Sequence, residues 1–548
     1  MSSDCPARGY QEAILALNSL QSNAAVLAAI QAAGPPPGEQ VLSQTTYYLR
    51  RLGYKPRDLN VLNAIHISGT KGKGSTAAFC SSLLSTIKPS AKVGLFTSPH
   101  LVAVRERIRI NGKPISEQLF ARYFWDLWER FEHGNGEPVR QDLPIRPAYF
   151  RYLTYMAYHA FITERVDATV LEVGLGGLRD PTNLIPSPIV TGVSSLGLDH
   201  VKVLGHSLGE IAGHKGGIFK PGVPALTVQQ HYPETIGVLR ARAHELKSSS
   251  FTIIPCRTDL DELKIGLAGA HQKHNASLAI ALVNTFLASP QLPPSYSTNP
   301  SQVRDTTASA TPSDILPPLP SDPSPSMSES ADDQLPKLPD ELVLPELSPA
   351  FKVGIANTRW PGRCQTIVDP VRKGVTWFLD GAHTVDSLDL CGRWWSEQLE
   401  SSSSSNPLSS PWKILIFNCT FGRQPRDLLD GLLNFWTLNS HKTGNEFFDQ
   451  VIITSNTTYS DGKFKSDLRS VAQDTQPDSD QRIQHEIAEA WCSIPNATKN
   501  VMITDSIQRA VDEVSGQSTP PRHTAVLVTG SLHLIGGLLD VLGLEDAL

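Results

Sequence analysis

The sequence predicts an α/β protein built from two domains with mostly parallel sheets. The chain has 548 residues, which is too long for one ordinary core and suits two or three domains of α/β size. From residue 61 onward, short apolar runs alternate with amphipathic runs of helix length. The alternation stops in a proline-rich window and resumes beyond it, which indicates βαβ units in two separate domains.

The first domain is predicted from four strand-like runs. Each is short and almost wholly apolar, as expected for a parallel strand that is buried on both faces. These runs are 61–67, 92–97, 168–173 and 189–196. Apolar residues at helical spacing predict helices over 10–33, 76–87, 117–132, 148–164 and 275–286.

A proline-rich segment divides the chain. Of the 41 prolines, 14 fall within residues 290–349, where aromatic residues are few. Such a segment cannot bury enough apolar surface to offset the entropy of ordering, so we expect a disordered insertion over 290–348. The predicted organisation is a first domain over 1–289, this insertion, a linker over 349–358 and a smaller α/β domain over 359–548. Its predicted strands are 375–380, 412–420, 449–454, 499–504 and 524–530.

Composition excludes several classes of protein. The net charge of −6 and the pI near 6.2 argue against a nucleic-acid binder that works through a general basic field. Seven scattered cysteines without a CxxC pair, together with no signal peptide, indicate a reduced intracellular protein. No apolar run approaches the roughly 18 residues needed to span a bilayer. We therefore expect a cytoplasmic protein, and a mitochondrial isoform is left open.

A glycine-rich segment, residues 69–75, follows the first predicted strand and precedes a helix. Glycines let backbone N–H groups curl around phosphate oxygens, the helix N-terminus favours the anion, and Lys73 adds a positive charge. The candidate phosphate contacts are Gly69, Thr70, Gly72, Lys73, Gly74 and Ser75. The spacing departs from GxxxxGK[ST], because Gly74 stands where a hydroxyl would normally hold Mg²⁺. The alternative is a strand–helix turn that binds nothing, and the two lysines among the glycines argue against it.

If Gly74 cannot hold a metal, other side chains at the same sheet edge must do so. Ser98 follows the second predicted strand, and Glu172 lies near the end of the third. A carboxylate beside a phosphate loop suits Mg²⁺, which prefers oxygen ligands. His200 follows the fourth strand and is a further candidate, although most histidines are structural. Lys215 lies among small and apolar residues, where a lysine is costly unless it is paired or modified.

Eight ordered motifs resemble segments of folylpolyglutamate synthases, which are Mur-ligase-type ATP-dependent amide ligases. The resemblance runs from about residue 8 to 540 and excludes the proline-rich segment. The motifs are GTKGKGS (69–75), FTSPHLVAVRERIRINGKPIS (96–116), LEVGLGG with DPTN (171–183), LDHVKVLGHSLGEIAGHKGGIFKPG (198–222), HQKHNASLAIAL (271–282), RWPGRCQ (359–365), LDGAHT (379–384) and VTGSLHLIGG (528–537). The implied fold is Mur-ligase-like, with a P-loop-type α/β ATPase domain that also binds folate, followed by a smaller Rossmann-like α/β domain. RERIRINGKPIS and LDGAHT favour a eukaryotic-type member.

The resemblance implies a reaction and roles for individual residues. The γ-carboxylate of a folate, such as tetrahydrofolate, attacks the γ-phosphate of ATP, and L-glutamate then displaces phosphate from the acyl phosphate. The folate carboxylate and the phosphates of ATP are both anions, so Mg²⁺ and lysine side chains are expected to stabilise the transition state. The catalytic residues implied are Lys73, Lys215 and His200. The Mg²⁺ ligands implied are Ser98, Glu172, His200 and, if it is carbamylated, Lys215. The implied nucleotide contacts beyond the loop are Gln272, Asn275, Arg363, Asp380 and His383, and Ser531 is a candidate for the glutamate pocket.

The remaining expectations concern partners and alternatives. The resemblance implies ATP and Mg²⁺, with a monovalent cation (K⁺) as a further candidate cofactor, and a monomer without nucleic acid or a membrane span. A dihydrofolate synthase, a bifunctional member of the same family, or a ligase for another carboxylate are alternatives within the ligase class. A cell-wall ligase would carry a further N-terminal domain ahead of the loop. A non-catalytic P-loop module would lack RWPGR and LDGAHT, and both are present.

Overall fold

The computed structural model divides the chain into two compact units. The first comprises Met1–His100, Arg105–Gly266 and Gln272–Thr358, and the second comprises Leu101–Val104, Leu267–His271 and Arg359–Leu548. The structure describes residues 8–21, 38–296, 346–403, 411–419, 423–439, 447–461, 467, 477–495, 497–516 and 523–544. Within these residues, no helix is long and apolar enough to cross a membrane.

The first unit contains an eight-stranded sheet with the strand order β4-β3-β2-β5-β1-β6-β7-β8. Its strands are β1 (Ala64–Ser68), β2 (Val93–Phe96), β3 (Ile108–Ile110), β4 (Lys113–Pro114), β5 (Ala168–Glu172), β6 (Val190–Val193), β7 (Pro224–Val228) and β8 (Ser250–Ile254). The six strands from β2 to β8 in this order are parallel, and β3 and β4 extend the edge in antiparallel pairing. All four predicted strands are confirmed.

The helices of the first unit are α1 (Tyr10–Asn18), α2 (Gly38–Arg51), α3 (Lys73–Ile87), α4 (Glu117–His133), α5 (Tyr149–Thr163), α6 (Val201–Leu204), α7 (Leu208–Gly216), α8 (Glu234–Glu245), α9 (Gln272–Leu287) and α10 (Pro349–Asn357). Helix α3 packs against both α9 and α10. The predicted helix over 10–33 is represented by α1, and residues 22–37 lie outside the described residues.

Strand register brings three carboxyl ends together at one edge of this sheet. Ile67 of β1 lies beside Glu172 of β5, and Ser68 lies beside Val193 of β6. All five residues of β1 and of β5 are buried. This edge therefore holds the segments that follow β1, β5 and β6, where ligands bind in parallel α/β sheets.

The segment predicted as a linker, 349–358, is mostly helical. Helix α10 packs against α3, where the Ser82 hydroxyl donates to the Gly354 carbonyl at 2.7 Å. Its first residues, Ser348 and Pro349, form a good helix start, since proline at the first helical position has a suitable φ and needs no hydrogen bond. The segment predicted as a linker is therefore a helix that packs on the first unit.

The predicted disordered insertion over 290–348 lies outside the described residues from 297 to 345. Residues at its start belong to the first unit instead. Tyr296 is buried, its ring contacts Phe286 edge-on at 5.5 Å, and its hydroxyl donates to the Leu84 carbonyl at 3.3 Å. The boundary predicted at 289 is therefore several residues early.

The second unit contains a six-stranded sheet with the order β13-β12-β11-β14-β10-β9. Its strands are β9 (Gln365–Val368), β10 (Val375–Asp380), β11 (Trp412–Phe417), β12 (Gln450–Thr454), β13 (Val501–Thr504) and β14 (Thr524–Thr529). Only β9 is antiparallel to its neighbour among these described strands. Its helices are α11 (Val385–Ser403), α12 (Pro425–Asn439), α13 (Pro477–Cys492), α14 (Ile507–Ser515) and α15 (Leu532–Val541). An apolar cluster covers each face of the sheet, which confirms the second α/β domain.

Candidate functional site

The glycine-rich segment 69–75 forms a tight turn between β1 and α3. Gly72 caps the helix with φ +85°, a conformation that favours glycine. A Cβ at Gly72 would overlap the Oδ1 atom of Asn275, and one at Gly69 would overlap the hydroxyl of Ser194. Two glycines are thus required by close approach as well as by backbone conformation. Gly74 and Ser75 lie in the first turn of α3, where backbone N–H groups have no partner within the helix.

The segment that follows β6 holds the turn through main-chain hydrogen bonds. The amides of Thr70 and Lys71 both donate to the Ser195 carbonyl, at 2.9 and 3.0 Å. The Thr70 hydroxyl donates to the Gly197 carbonyl at 3.1 Å, and the Ser194 hydroxyl donates to the Lys71 carbonyl at 2.7 Å. Sequence reasoning missed this anchor because its main contacts are to carbonyl groups, which any residue type supplies.

Two lysines converge on one carbonyl of the turn. The Nζ atom of Lys73 donates to the carbonyls of Gly69 and Thr70, at 3.0 and 3.2 Å. Lys215, on α7, is buried and donates to the same Gly69 carbonyl at 2.7 Å. Burial lowers the pKa of Lys215 well below its ordinary value of 10.5, and the charge of Lys73 lowers it further. Burial therefore favours the neutral amine form of Lys215.

The other lysine of the turn, Lys71, was not among the predicted site residues. Lys71 forms an ion pair with Asp199, with 3.8 Å between Nζ and the carboxylate oxygen. Both side chains are partly exposed, so the pair contributes little to stability. It nevertheless links the glycine-rich turn to the segment that carries His200.

The predicted metal ligands are only partly brought together. Glu172 is buried at the end of β5, and its Oε2 atom accepts a hydrogen bond from the Ser98 amide at 2.9 Å. His200 adopts a left-handed conformation with φ +52°, and its exposed ring lies 3.9 Å from the Asp199 carboxylate. Among the described residues, no group of three His, Cys, Asp or Glu side chains is placed to hold a metal. Ser98 and Glu172 thus form an oxygen-rich pair, and the described contact of the His200 ring is with Asp199.

The first turn of α9 places Gln272 and Asn275 against the glycine-rich turn. Both are buried, and the Asn275 amide donates to the Gln272 side-chain oxygen at 2.9 Å. The Asn275 side chain lies directly over Gly72. The structure therefore brings these two predicted residues to the loop that precedes α3.

A buried network supports the loop that follows Glu172. Asp180 accepts hydrogen bonds from the amides of Leu175 and Thr182, both at 2.9 Å. The Nε2 atom of His66, inside β1, lies 2.9 Å from the Thr182 hydroxyl, and burial lowers the pKa of His66 to about 3. These residues hold the Gly174–Gly177 loop. Sequence reasoning found the DPTN motif, which contains Asp180 and Thr182, and missed the rest of the network.

Arg107 is a further residue near this edge that sequence reasoning did not select. Its Nε atom donates to Nδ1 of His100 at 2.9 Å, and its guanidinium lies 5.6 Å from the centre of the Tyr149 ring. Burial lowers the pKa of the Arg107 guanidinium, and nearby charges, including that of Glu172, oppose this shift. Arg107 and His100 both lie in the motif over 96–116, so the sequence could have indicated them as site residues.

The second unit places Arg363, Asp380 and His383 in two neighbouring turns. Arg363 is half-buried and precedes β9, and Asp380 is buried at the end of β10. The Nδ1 atom of His383 lies 3.1 Å from the Gly381 carbonyl. Ser531 is the buried N-cap of α15, where its hydroxyl accepts a hydrogen bond from the His533 amide at 3.1 Å. Its role in a glutamate pocket stays a prediction.

The fold and the loop chemistry define a class of protein. A strand–glycine turn–helix with two lysines on a parallel sheet, followed by a second α/β unit, is the arrangement of the Mur-ligase-like proteins. The chain is similar in fold to the Mycobacterium tuberculosis folylpolyglutamate synthase complexed with ADP, with a TM-score of 0.63, 20% identity, and coverage of 97% of this chain and 99% of that chain. This likeness confirms the predicted fold class.

Sequence comparison gives the family. The chain is 37% identical to the folylpolyglutamate synthase of Candida albicans, over 98% of this chain and 97% of that one. It is 38% identical to the enzyme of the same name from Neurospora crassa, over 99% and 93% of the two chains. Residues 365–541 also match the family model of the dihydrofolate synthetase C-terminal domain. The chain belongs to the folylpolyglutamate synthase family, which are ligases, as its motifs predicted.

Proposed function

We propose that this protein is an ATP-dependent ligase that adds L-glutamate to the γ-carboxylate of a folate, with ADP and phosphate as the other products. The observation that carries the proposal is the convergence of Lys73 and Lys215 on the Gly69 carbonyl at the end of β1. The names of the curated relatives and the ADP in the Mycobacterium tuberculosis structure support it.

The reaction has two steps whose charges explain the need for cations. A carboxylate oxygen of the folate attacks the γ-phosphorus of ATP, ADP departs, and an acyl phosphate forms. The amino group of L-glutamate then attacks the acyl carbon, the C–O bond to phosphate breaks, and an amide remains. Both the attacking carboxylate and the phosphate are anionic, so positive groups must stabilise the transition state.

We assign the phosphates of ATP to the glycine-rich turn. The residues proposed to contact them are Gly69, Thr70, Gly72, Lys73, Gly74 and Ser75, with Gln272 and Asn275 beside the turn. Lys73 at present donates to two loop carbonyls, and it would exchange these for phosphate oxygens when ATP binds. Arg363 is proposed to contact the phosphates as well, with His383 as a further nucleotide contact.

The residues near Glu172 fit Mg²⁺. A buried carboxylate next to a serine, at the strand edge beside a phosphate turn, supplies the oxygen donors that this cation prefers. Ser98 and Glu172 would hold it with His200. When bound, Mg²⁺ would neutralise charge on the phosphate oxygens. Burial lowers the pKa of Lys215, which favours the neutral amine that carbamylation requires, and a carbamylated Lys215 would supply a further carboxylate. A K⁺ ion remains a candidate cofactor without an assigned residue.

A dihydrofolate synthase is the second candidate function. One observation favours it, namely the match of residues 365–541 to the family model of a dihydrofolate synthetase. The two activities share the chemistry of the acyl phosphate and differ in the carboxylate that is activated, so a single chain could have both.

The test is ATP-dependent incorporation of labelled L-glutamate by the purified protein. Tetrahydrofolate and dihydropteroate are offered separately, and ADP release is measured in parallel. We expect incorporation with tetrahydrofolate. If glutamate were incorporated with dihydropteroate and not with tetrahydrofolate, the protein would be a dihydrofolate synthase. If neither substrate gave glutamate incorporation or ADP release, both functions would be contradicted.

A further inference from the structure

A buried carboxylate ties together the two turns around Arg363 in the second unit. Asp380, at the end of β10, is 7% exposed. Its Oδ2 atom accepts hydrogen bonds from the Cys364 amide at 2.7 Å and from the Cys364 thiol at 3.3 Å. Its Oδ1 atom accepts from the Ala382 amide at 2.8 Å. One side chain therefore joins the residue after Arg363 to the loop that follows β10.

Cys364 has a backbone conformation that needs such support. It is a non-glycine residue with φ +45°, in the left-handed region that L-residues rarely adopt. It is also buried, at 5% exposure. Burial and the neighbouring charge of Asp380 raise the pKa of the Cys364 thiol well above its ordinary value of 9.0, so the thiol keeps the proton that it donates. Strained residues of this kind persist where the surroundings fix them and are common at functional sites.

The guanidinium of Arg363 lies on the second of the two tied turns. A Cβ at Gly381 would lie 2.2 Å from the Cδ2 atom of Leu532 and 2.8 Å from the Nη1 atom of Arg363, so the guanidinium lies close to the backbone of this turn. The Gly381 amide donates to the Gly362 carbonyl at 3.0 Å, which joins the turns a second time. Arg363 is therefore held by its own backbone on one side and by Gly381 on the other.

We propose that Asp380 and Cys364 form a positioning pair that aims Arg363. The inference rests on the proposed function of Arg363 at the phosphates of ATP. Three donors already converge on the Asp380 carboxylate, and the bonds run to the residues that flank Arg363 and Gly381. A displacement of about 1 Å at a charge-stabilising group lowers turnover by up to about 100-fold, so loss of the thiol bond should be visible in kcat.

Substitution of Cys364 tests the pair directly. We expect Cys364→Ala to lower kcat about tenfold while KM for ATP changes by less than about twofold, since the positioned charge acts on the transferred phosphate. Cys364→Ser retains a donor and should recover most of the activity. Cys419→Ala is the matched control, because Cys419 is buried to the same degree in the same apolar cluster, and its kcat should stay within about twofold of wild type. A kcat of Cys364→Ala equal to that of the control would overturn the pair.

Cys364→Gly separates positioning from folding. Glycine removes the cost of the left-handed conformation, so this variant should melt at a higher temperature than Cys364→Ala and yet show the same loss of kcat. If the alanine variant does not fold, the glycine variant carries the test alone. Recovery of kcat together with stability would show that Cys364 has only a structural role.

A double-mutant cycle with Arg363→Ala distinguishes failure of the pair from failure of the proposed function. The single variant Arg363→Ala should lose about 1000-fold in kcat, as for other arginines at transferred phosphates. Adding Cys364→Ala to it should then cost nothing further in single-turnover assays with labelled glutamate. Equal losses in both backgrounds would overturn the positioning pair. Full activity of Arg363→Ala would instead overturn the role of Arg363 in the proposed function, and the pair with it.

Discussion

The turn that carries Lys73 and the turn that carries Arg363 are held in place by different chemistry. In the first unit, the Thr70 and Lys71 amides donate to one main-chain carbonyl, that of Ser195, and glycines allow a close approach to neighbouring side chains. In the second unit, the single carboxylate of Asp380 accepts all three of the bonds described around Cys364 and Ala382.

In the first turn, the charged group and the bonds that fix the backbone belong to different residues. In the second turn, one carboxylate both carries the charge and fixes the backbone. Among the described residues, the hydrogen bonds of the Lys73 ammonium run to carbonyls of its own turn, at Gly69 and Thr70, so the ammonium can leave without opening the main-chain bonds. The Asp380 carboxylate cannot be removed without leaving buried amides unpaired, which is costly. The first turn should therefore tolerate the loss of a charge better than the loss of a glycine, and the second should not tolerate the loss of its carboxylate.

Lys73→Ala should have the largest effect on activity and one of the smallest on stability. We expect turnover to fall about 1000-fold, because removal of a single preorganised charge-stabilising group has an effect of that order. The melting temperature should change by no more than about 2 °C, since the turn keeps its bonds to Ser195. Labelled-glutamate incorporation and thermal unfolding measure the two effects.

The control for Lys73→Ala is Lys113→Ala, at an exposed lysine in β4. It should leave both activity and melting temperature near those of wild type. Full activity of Lys73→Ala would show that the turn does not bind the reacting phosphates. A large loss of stability would show that the Lys73 charge also fixes the backbone of the first turn.

Gly72→Ala should reduce activity about 100-fold and also destabilise the first unit. The new Cβ would overlap the buried Asn275 side chain, and φ +85° adds strain, so the turn must move by a substantial fraction of an ångström. Labelled-glutamate incorporation and thermal unfolding are again the measurements.

Gly112→Ala is a close control for Gly72→Ala. Gly112 has φ +78°, yet a Cβ there meets nothing within 4 Å. This variant should show only the backbone cost of about 1–2 kcal/mol and retain activity. Equal loss of activity in the two glycine variants would mean that backbone strain, and not contact with Asn275, explains the requirement.

The sequence was most informative where the same residues serve both fold and site. Buried parallel strands are continuous apolar runs, so β1, β5 and the end of β5 at Glu172 could be located without coordinates. Glycines and lysines between a strand and a helix likewise predicted the turn over 69–75. Very short strands such as β3 and β4, with three and two residues, are too brief to give a period.

Other features depend on contacts between residues far apart in the chain. Asp380 was predicted as a nucleotide contact from its motif, but its bonds to Cys364 reach back 16 positions and follow no local pattern. The pairing of Lys71 with Asp199 and of His66 with Thr182 is of the same kind. Ser531 is different, since a serine directly before an apolar helix is an N-cap signal that could have been recognised.

Asp380→Asn tests the second half of the comparison. We expect the second unit to lose about 2–3 kcal/mol of stability, because three donors then face a neutral amide in place of a carboxylate. Activity should fall together with stability, in contrast to Lys73→Ala. Denaturant unfolding monitored by tryptophan fluorescence reports on this unit, where Trp377 of β10 is fully buried.

Asp430→Asn is the matched control for Asp380→Asn. Asp430 is half-exposed and pairs with Arg426 one helical turn away, an interaction of about 0.5 kcal/mol at most. Equal free energies of unfolding for Asp380→Asn and Asp430→Asn would show that the Asp380 carboxylate does not hold the turns around Arg363.

The smallest expected effect is an acid sensitivity specific to the first unit, and it arises from His66. Burial lowers the pKa of His66 to about 3, and the charge of Lys220 contributes to the shift, whereas the unfolded chain takes up a proton near the ordinary value of 6.5. The contribution of His66 to stability is therefore complete above about pH 6.5 and is lost as the pH falls toward 3. Between about pH 7 and about pH 5.5 the wild type should lose about 1 kcal/mol more than His66→Gln, which cannot take up the proton. Denaturant unfolding at the two pH values measures this difference, and hydrogen exchange should place the loss in β1 and β5 rather than in β10 and β14. Equal losses in wild type and variant, or a loss located in the second sheet, would show that the buried network around Thr182 does not make the first unit the acid-sensitive one.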